Sequence, residues 1–428
     1  MKLMVVGGGG REDAIIQKLR ENPTVEEIFA LPGNAGIAQH ATCVPIRATD
    51  LDAIVDFATV HAVDFVVVAP DDPLCMGLVD RLEKVNIPAF GPHAKAAEIE
   101  GSKVFSKQLM RKYGIPTADY AVFDTLTEAL AYLQQAKLPL VVKADGLALG
   151  KGVLICTTRR EAEEAVRDMM EAHRFGTSGN RVVIEAFLTG PEVSVLAFSD
   201  GETVKPMVSS MDHKRALTGD EGLNTGGMGA IAPNPYYTDE MAARCMREIF
   251  LPTLHAMRAE GRPFRGCLYF GLMLTQDGPK VIEYNCRFGD PETQVVLPLL
   301  QSDLLTILQA TVQGTLAQTE VRFSSGAACC VVLASGGYPA KYETGKEISG
   351  LEHAKLTAPH VRVYHAGTRR DAANTWRTAG GRVLGVTATA DTLTQAVEQA
   401  YDACAVLSFE GMHVRRDIGQ RALNAHQA

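Results

Sequence analysis

The chain has 428 residues, of which 46% are hydrophobic and 21% are charged, and its formal net charge is −8. This length exceeds what one hydrophobic core normally organises, so we expect two to four domains in a globular protein. The acidic balance and the lack of a long Lys/Arg run argue against nucleic acid or an anionic membrane surface as a partner. No stretch approaches the ~20 apolar residues of a membrane span, so the partners we expect are small molecules.

The nine cysteines are scattered along the chain and form no C-x-x-C pair. Such thiols are typical of a reducing compartment, and they predict neither a disulfide framework nor a zinc site. The apolar run at residues 3–6 is too short for a secretory signal. We therefore expect a cytoplasmic protein.

The first hundred residues alternate short apolar runs with helical patterns, which is typical of a parallel α/β sheet. Strands are predicted at residues 3–6, 28–31, 64–68 and 89–90, and helices at 12–21 and 50–59. Four glycines at 7–10 separate the first strand from the first helix. A dinucleotide fingerprint would need glycine where Glu12 or Asp13 stands, so a nicotinamide oxidoreductase is disfavoured. A tight turn and an anion site assisted by Arg11 remain as interpretations.

The pattern changes after the first hundred residues. A helix is predicted from Ser102 to a turn at 113–116, where the chain reads Tyr-Gly-Ile-Pro. Later predictions are strands at 140–143, 182–185, 267–274, 280–284 and 327–334, and a helix at 160–172. The last of these strands begins a new set beyond Ser325, which suggests a further domain.

A glycine loop with two lysines covers residues 143–152, beginning at Lys143 where a strand ends. Glycines let the backbone approach phosphate oxygens, and lysines neutralise them. The residue order of a Walker A loop is absent, and a flexible hairpin with solvated lysines is the alternative. Glu185, after the next apolar strand, could accept from an adenine amino group, and Glu192 could bond ribose hydroxyls. Solvated carboxylates would explain these two acids equally well.

Two oxygen-bearing side chains stand two residues apart on a predicted strand. Glu283 and Asn285 should lie on one face while Tyr284 points away. This pair suits Mg²⁺, whose remaining coordination positions would be filled by phosphates and water. The alternative is that these residues are only the polar end of a strand. Cys286 is expected to face the core, and Arg287 could grip a phosphate or a carboxylate.

A second glycine-rich segment, Asn-Thr-Gly-Gly-Met-Gly at 224–229, follows a charged run at 211–215. Backbone donors of such a segment can form a nest for an anion, which the charged run could anchor. His213 within that run is expected to be structural and receives no role in proton transfer.

These segments together resemble a known family. The middle of the chain resembles the ATP-grasp fold, and the whole length resembles the phosphoribosylamine–glycine ligase family. The matching segments are residues 100–103, 143–152, 212–215, 224–229, 283–294, 364–368, 380–383 and 416–419. The run at 285–294, Asn-Cys-Arg-Phe-Gly-Asp-Pro-Glu-Thr-Gln, is the most specific of them.

The resemblance implies an α/β fold, α+β overall, with three domains. A parallel, Rossmann-like α/β domain at 1–101 precedes an ATP-grasp core at 102–324, and a small β-rich domain at 325–428 follows. A mobile lid at about 123–192 would exclude water from a reactive acyl phosphate. We expect a monomer or a weak homodimer.

The resemblance further implies an ATP-dependent carbon–nitrogen ligase of purine biosynthesis. ATP would phosphorylate the glycine carboxylate, and the amine of 5-phosphoribosylamine would displace phosphate to give glycinamide ribonucleotide. Phosphoryl transfer needs metal and lysine charge more than a covalent nucleophile, so the lack of a Ser-His-Asp or Cys-His set is expected.

Roles for individual residues follow from the same resemblance. Lys143 and Arg287 are the expected catalytic residues, and Glu283 and Asn285 are the expected ligands of Mg²⁺ or Mn²⁺. The residues expected to bind ATP, the co-substrate, are Lys107, Lys143, Gly150, Lys151, Gly152, Glu185, Ala186, Phe187, Leu188 and Glu192. The residues expected to bind the other substrates are Gly9, Gly10, Arg11, Asp212, Lys214, Asn224, Thr225, Gly226, Gly227, Arg287, Asp290 and Glu292.

Several positions depart from the family pattern. Asp13 stands in place of His, the segment 69–72 replaces Gly-Pro-Glu, Leu223 replaces Pro and Met211 replaces Gln. These changes cluster toward the sugar-phosphate side and bear on acceptor binding more than on the reaction type. Asp13 would be unfavourable near a phosphate unless its carboxylate points elsewhere.

Two alternatives remain beside this hypothesis. Another ATP-grasp ligase or carboxylase would share the nucleotide side and differ in its acid and acceptor. A non-catalytic nucleotide-binding protein would have less need of the complete charge set of Lys143, Glu283, Asn285 and Arg287.

Overall fold

A computed structural model of the chain describes residues 1–147 and 152–425. It is mixed α/β, with a parallel sheet at the start and antiparallel sheets after it, which confirms the predicted fold class. None of the helices in the described ranges combines the length and the apolar character that a membrane crossing requires.

The N-terminal unit is a parallel five-stranded sheet in the order β3-β2-β1-β4-β5. Its strands are β1 (Lys2–Gly7), β2 (Glu27–Pro32), β3 (Thr42–Cys43), β4 (Phe65–Val68) and β5 (Ala89–Phe90), and its helices are α1 (Gly10–Leu19), α2 (Leu51–Val60), α3 (Asp71–Cys75), α4 (Leu78–Lys84) and α5 (Ala94–Gly101). Along β1, Met4 and Val6 enter one apolar core while Leu3 and Val5 enter another. Both faces of the sheet are therefore covered, as expected for parallel strands.

A second unit has an apolar core of its own. Helix α6 (Lys103–Tyr113), whose N-terminus is capped by Ser102, leads into it. Its elements are β6 (Tyr120–Phe123), α7 (Leu126–Leu133), β7 (Leu140–Ala144), β8 (Val153–Cys156), α8 (Arg159–Met170) and β9 (Val182–Ala186), and the antiparallel strand order is β6-β9-β7-β8. Leu140, Val166 and Ile184 belong to a buried cluster made only from this unit. The unit coincides with the segment predicted to be a lid.

The central unit carries an antiparallel sheet in the order β11-β10-β16-β17. The elements from here to residue 313 are β10 (Glu192–Asp200), β11 (Val204–Pro206), β12 (Met211–Asp212), β13 (Arg215–Leu217), β14 (Glu221–Asn224), β15 (Gly229–Ala232), α9 (Asp239–Cys245), α10 (Leu251–Ala259), β16 (Arg265–Thr275), β17 (Gly278–Asn285), α11 (Thr293–Val296) and α12 (Leu304–Gln313). In β17, Glu283 lies opposite Gly271 and Asn285 opposite Tyr269, with a register shift between Gly271 and Leu272. Strands β13 and β14 form a separate hairpin.

The C-terminal elements build on strands from the central unit. They are β18 (Ala327–Ser335), β19 (Val361–His365), β20 (Thr368–Arg370), β21 (Trp376–Thr378), β22 (Arg382–Ala390), α13 (Leu393–Cys404), β23 (Met412–His413) and α14 (Gln420–Ala425). The sheet order is β12-β15-β18-β22-β19, and β23 also pairs with β18. Because β15 pairs with β18, this sheet crosses the boundary predicted near residue 325 and holds the central and C-terminal segments together.

Candidate active site

A buried carboxylate holds two lysines at the base of the lid unit. Glu185 Oε2 lies 2.9 Å from Lys107 Nζ, and Glu185 Oε1 lies 3.0 Å from Lys143 Nζ. All three side chains are at most 5% exposed. The antiparallel pairing of β7 with β9 places Lys143 and Glu185 on neighbouring strands, and α6 brings Lys107 to them. The cluster carries two positive charges and one negative charge.

Burial affects the protonation of this cluster. Desolvation lowers the pKa of Lys107 to about 8, and the Glu185 charge only partly offsets it. Burial alone would raise the pKa of Glu185, but Lys143 and Lys107 hold it below its ordinary value. Glu185 is therefore ionised, and its two oxygens orient the ammonium groups.

Lys103 adds a third cation that was not assigned a role from the sequence. Its Nζ donates to the Gly146 carbonyl at 2.9 Å. Burial and then the Lys143 charge lower the pKa of Lys103. The matching segment at 100–103 was the only sequence indication of this residue.

The predicted metal ligands lie on β17 beside the lysine cluster. Lys143 Nζ donates to the Ile282 carbonyl at 3.0 Å, next to Glu283. Glu283 Oε1 lies 3.2 Å from Lys214 Nζ, and this ammonium, with other nearby lysines, lowers the pKa of Glu283 to about 2. Asn285 Oδ1 is 3.5 Å from Arg287 Nη2. Lys143 therefore lies against the strand that carries Glu283 and Asn285, and we call the region around these three side chains the cleft.

The opposite face of the same strand is apolar, as the alternation predicted. Tyr284 and Cys286 belong to the main buried cluster, and the Tyr284 hydroxyl bonds Thr253 Oγ1 at 2.9 Å. The core position predicted for Cys286 is confirmed.

Arg287 is held by a buried acid from the N-terminal unit. Its Nη2 donates to Glu100 Oε1 at 3.0 Å, and the other Glu100 oxygen accepts from the Cys286 amide at 2.7 Å. Burial raises the pKa of Glu100, although the Arg287 charge opposes this. Within the described residues, the buried Nε of Arg287 has no hydrogen-bond partner. One donor of the guanidinium is therefore left for a ligand.

Two carboxylates lie close together near β12. Glu292 Oε1 accepts from the Tyr269 hydroxyl at 3.0 Å, and that hydroxyl also bonds Ser194 Oγ at 2.8 Å. Asp212 Oδ1 is buried and has no hydrogen-bond partner in the described part of the chain. Burial, and then the charge on Glu292, raise the pKa of Asp212 well above its ordinary value. Such an arrangement favours a positively charged ligand group at Asp212.

The second glycine segment packs directly against these acids. Gly227 has φ +118°, and a Cβ there would lie 2.8 Å from Asp212 Oδ1 and 2.3 Å from Pro291 Cδ, so only glycine fits. Its amide donates to Thr225 Oγ1 at 2.9 Å, and Thr225 in turn bonds the Lys214 carbonyl. The segment from Asn224 to Gly227 is thereby placed beside Asp212.

The first glycine segment meets the same region from the N-terminal unit. Glu12 curls back so that its Oε2 accepts from the Gly9 amide at 2.7 Å, and Arg11 pairs with the same carboxylate at 2.7 Å. A Cβ on Gly9 would lie 3.7 Å from Asp290 Oδ2, and one on Gly10 would lie 2.9 Å from the Gln294 amide nitrogen. The glycines thus lie against the segment after β17.

Arg382 from the C-terminal unit contacts Asp290 and the second glycine segment, and no role was predicted for this arginine from the sequence. Its Nη2 lies 2.9 Å from Asp290 Oδ2, and its Nη1 donates to the carbonyls of Gly226 (2.9 Å) and Asp290 (2.8 Å). Burial alone would lower the pKa of Arg382, but Asp290 raises it. The matching segment at 380–383 was the available indication of this residue.

The remaining nucleotide candidates lie along the turn between β9 and β10. Ala186 and Glu192 are exposed, Phe187 is partly exposed, and Leu188 is of intermediate exposure. The Gly152 carbonyl accepts from the Ala144 amide at 2.9 Å. The predicted ligands Gly150 and Lys151 lie outside the described residues.

The departure at Asp13 has a structural explanation. Its carboxylate is buried and points away from the glycine segment, accepting from the His365 amide at 2.6 Å and from the Gln17 side chain at 3.1 Å. The unfavourable charge near a phosphate is therefore avoided. Leu223 is 60% exposed, and nothing in the structure explains its presence.

Known proteins share both the architecture and the sequence. The biotin carboxylase domain of 2-oxoglutarate carboxylase from Hydrogenobacter thermophilus aligns with TM-score 0.74 over 96% of this chain and 91% of that chain, at 16% identity. The sequence-family models for the phosphoribosylglycinamide synthetase domains match this chain at residues 1–100 (N domain), 101–293 (ATP-grasp domain) and 328–421 (C domain). The fold and the lysine–carboxylate site define an ATP-grasp enzyme, an ATP-dependent ligase.

Full-length relatives identify the family. Phosphoribosylamine–glycine ligase from Caldanaerobacter subterraneus is 47% identical over 419 residues, covering 98% of this chain and 99% of the relative. The protein of that name from Vibrio cholerae is 46% identical over 431 residues and covers both chains fully. The crystal structure of the Thermotoga maritima enzyme of that name aligns with TM-score 0.85 at 34% identity, over 98% of this chain and 100% of that chain. The chain belongs to the phosphoribosylglycinamide synthetase family.

Proposed function

We propose that this chain joins glycine to 5-phosphoribosylamine through a glycyl phosphate, using ATP and releasing ADP and phosphate. The observation that carries the proposal is the contact of Lys143 with the strand that bears Glu283 and Asn285, where Lys143 Nζ donates to the Ile282 carbonyl at 3.0 Å. This convergence of cations and oxygen ligands suits a triphosphate. The full-length relatives favour glycine and phosphoribosylamine over the substrates of other ATP-grasp enzymes.

The nucleotide would lie between the lid unit and the central sheet. Lys107 and Lys143, with Gly152 and the undescribed Gly150 and Lys151, would bind its phosphates. Glu185 is ion-paired with both lysines, but its Oε1 has no hydrogen-bond partner among the described residues, so Glu185 with the backbone at 186–188 would frame the adenine. Glu192, exposed at the start of β10, would reach the ribose.

A divalent cation fits the donor set of β17. Glu283 is ionised because its pKa is about 2, and Asn285 offers an amide oxygen two residues away. These hard oxygen donors suit Mg²⁺ or Mn²⁺ with phosphates and water as further ligands. When bound, the cation would neutralise phosphate charge during transfer. A Hydrogenobacter thermophilus structure of the same fold contains the magnesium salt of ADP.

The acceptor and the amino acid would lie on the side of the two glycine segments. The free oxygen of Asp212, beside Glu292, would accept from the ammonium group of glycine. Arg287, with a free Nε donor, and Lys214 would hold the reacting carboxylate and phosphate. The segments Gly9–Arg11 and Asn224–Gly227 would hold the phosphate of the acceptor, and Asp290 would accept from its sugar hydroxyls.

The chemistry divides into two displacements. A glycine carboxylate oxygen attacks the γ-phosphorus, and the bond to ADP breaks. The amine nitrogen then attacks the acyl carbon, phosphate leaves, and the nitrogen loses a proton as the amide forms. Water would hydrolyse the acyl phosphate, so a lid at 123–192 that closes over the cleft would protect it.

The organisation of the chain completes the proposal. We place domains at 1–101, 102–324 and 325–428, and we propose a cytoplasmic monomer or weak homodimer. The antiparallel unit with its own buried cluster supports a lid that moves as one body.

The deciding experiment follows product mass. The chain is incubated with Mg²⁺, ATP, isotopically labelled glycine, and phosphoribosylamine formed from ribose 5-phosphate and ammonia. We expect labelled glycinamide ribonucleotide, with ADP release that requires both glycine and the amine. Turnover that neither compound stimulates would rule out this ligation and favour another ATP-grasp reaction.

A further inference from the structure

A cavity of about 480 Å³ that opens widely to solvent lies outside the cleft described above. It is bounded by the end of the β13–β14 hairpin and by the C-terminal segment that ends in α14. His213 lines it, whereas the neighbouring residues Asp212 and Lys214 face the cleft with Glu292 and Glu283. His213 and Lys214 form the connection between β12 and β13, so this short connection contributes one side chain to the cavity and one to the cleft. The volume is that of a small-molecule site.

His213 presents an unused donor in this wall. The side chain is 2% exposed, and its Nε2 accepts from the Gly419 amide at 3.2 Å. An accepting Nε2 places the proton on Nδ1. Among the described residues this buried Nδ1 has no hydrogen-bond partner. A buried donor left without an acceptor costs roughly 1–3 kcal/mol, which an acceptor on a ligand would recover.

Two arginines line the same cavity, and they differ in the strength of their ion pairs. Arg415 is buried and is held by Asp417 at 2.8 Å and by Asp220 at 2.9 Å. Arg421 is about half exposed, and its contact to Asp220 is long, at 3.4 Å. The lining side chains therefore carry no net formal charge, but Arg421 keeps donors that a stronger anion could take from Asp220.

The rest of the lining suits a group larger than a lone anion. Tyr236 contributes an aromatic ring, and Gln420 and Asn424 contribute amides from α14. Gln420 Nε2 donates to Asn424 Oδ1 at 3.0 Å, which leaves the Gln420 oxygen and the Asn424 nitrogen for a ligand. Amide side chains can pair with the edge of a planar base, and aromatic rings can stack on its face. The cavity is also too large for inorganic phosphate alone.

We propose that this cavity is a second ligand site, which binds a nucleoside 5′-monophosphate with its phosphate on Arg421 and the His213 Nδ1–H. The ligand acts on the cleft through the chain itself, because His213 lies between Asp212 and Lys214. The hairpin that bounds the cavity continues directly into Asn224 and the glycine segment. The regulatory consequence rests on the proposed ligase activity, whereas the binding does not.

The test measures binding of guanosine 5′-monophosphate to the full chain by calorimetry. A non-hydrolysable ATP analogue, Mg²⁺ and ribose 5-phosphate are kept saturating, so that the nucleotide and sugar-phosphate parts of the cleft are both filled. We expect one further site per chain, weakened at least tenfold by Arg421→Gln. Arg416→Gln is the matched control, because this exposed arginine does not line the cavity, and it should leave the affinity unchanged.

A spectroscopic measurement separates the site from a general surface effect. In protein labelled with ¹⁵N-histidine, the Nδ1–H resonance of His213 should shift on addition of the monophosphate. Absence of binding to the saturated chain, or equal affinity in the Arg421→Gln variant, would overturn the proposal. Inorganic phosphate binding as tightly as the nucleotide would overturn the nucleotide assignment. Both readouts work without turnover, so a failure of the ligation assay would leave their outcome intact.

Discussion

The cluster of Lys107, Glu185 and Lys143 keeps one unbalanced positive charge in a buried place. Three side chains that are at most 5% exposed lose hydration, and a single carboxylate cannot compensate both ammonium groups. In the proposed function a triphosphate would supply the missing negative charge. Lys103, whose pKa the Lys143 charge helps to lower, adds a third cation to this region.

Removal of one cation should weaken use of ATP. Lys143→Ala is expected to lower kcat/KM for ATP by roughly 10- to 100-fold, because a hydrogen bond to a charged group contributes about 1.5–3 kcal/mol. Initial rates of ADP release against ATP concentration measure this effect. Lys137→Ala, at an exposed lysine on the same unit, should behave as the wild type. Wild-type kinetics in Lys143→Ala would remove this residue from the site.

The metal assignment predicts a change in magnesium dependence. Glu283→Gln keeps the size of the side chain but removes its charge and the partner of Lys214. The Mg²⁺ concentration that gives half-maximal activity should rise at least about tenfold, since one anionic ligand is lost. Glu221→Gln, at an exposed position, serves as the control. An unchanged magnesium titration of Glu283→Gln would contradict the assignment.

Asp13 predicts a pH effect on stability rather than on chemistry. Burial raises its pKa from 3.8 to about 7, so between these values the folded chain binds a proton that the unfolded chain has lost. Protonated Asp13 therefore makes its full contribution to the free energy of unfolding below about pH 4. This contribution is lost as the pH rises to about 7. Between these two pH values the free energy of unfolding should fall by roughly 4 kcal/mol because of Asp13.

The variant Asp13→Asn should remove this dependence. Unfolding midpoints at pH 5 and pH 8 should differ less in the variant than in the wild type, because the amide cannot ionise. Asp56→Asn, on the exposed side of α2, should keep the wild-type difference. An equal difference in Asp13→Asn and the wild type would show that Asp13 is ionised in the folded chain.

At the scale of elements, the lid unit depends on its junction with the central sheet. Lys143 Nζ bonds the Ile282 carbonyl of β17, and the Leu274 amide of β16 bonds the Pro191 carbonyl at 2.9 Å. Gly190 lies in the second connection with φ +144°, and a Cβ there would lie 2.1 Å from the Leu274 carbonyl oxygen. The close approach of the two backbones at this point requires glycine.

Gly190→Ala should therefore destabilise the chain by roughly 3 kcal/mol or more, since strain and a backbone clash add. Gly261→Ala is the matched control, because Gly261 also has positive φ (+69°) but open space around its Cβ position. That control should cost only about 1 kcal/mol. Calorimetric unfolding compares the two variants. Equal losses would show that conformation alone, and not the approach of Leu274, constrains Gly190.

The elements were largely predictable, because their patterns are local. The strand at 28–31 was found at Glu27–Pro32, and the period of two in β17 correctly sent Tyr284 and Cys286 to the core. The pairing of Lys214 with Glu283 was not predicted, since nothing in the spacing of 69 residues indicates it. Charge partners brought together by folding leave no periodic pattern in a sequence.

At the scale of the whole molecule, the proposed acceptor side of the cleft is built from three segments that are far apart in sequence. Gly9 and Gly10 come from the N-terminal unit, Asp290 from the centre and Arg382 from the C-terminal unit. The sheet that pairs β15 with β18 fixes the last of these against the others. Sequence comparison with a family could list the segments, but only the fold shows that Arg382 closes the region.

Arg382 provides the test of this convergence. It holds the Asp290 carboxylate and the carbonyls of Asp290 and Gly226, so Arg382→Met should release the glycine segment and leave the half-buried Asp290 carboxylate without its charge partner, with only Gln294 bonded to it. The apparent KM for phosphoribosylamine should rise at least tenfold, while the KM for ATP stays within about twofold, because the lysine cluster is untouched. Varying ribose 5-phosphate at fixed ammonia and glycine measures the KM for phosphoribosylamine.

Two further variants serve as controls. Arg382→Lys should recover only part of the loss, since an ammonium group cannot reproduce the planar fork of the guanidinium. Arg362→Met, at an exposed arginine of the same sheet, should match the wild type. An equal rise in both constants for Arg382→Met would mean that this arginine supports the fold in general and does not shape the acceptor side.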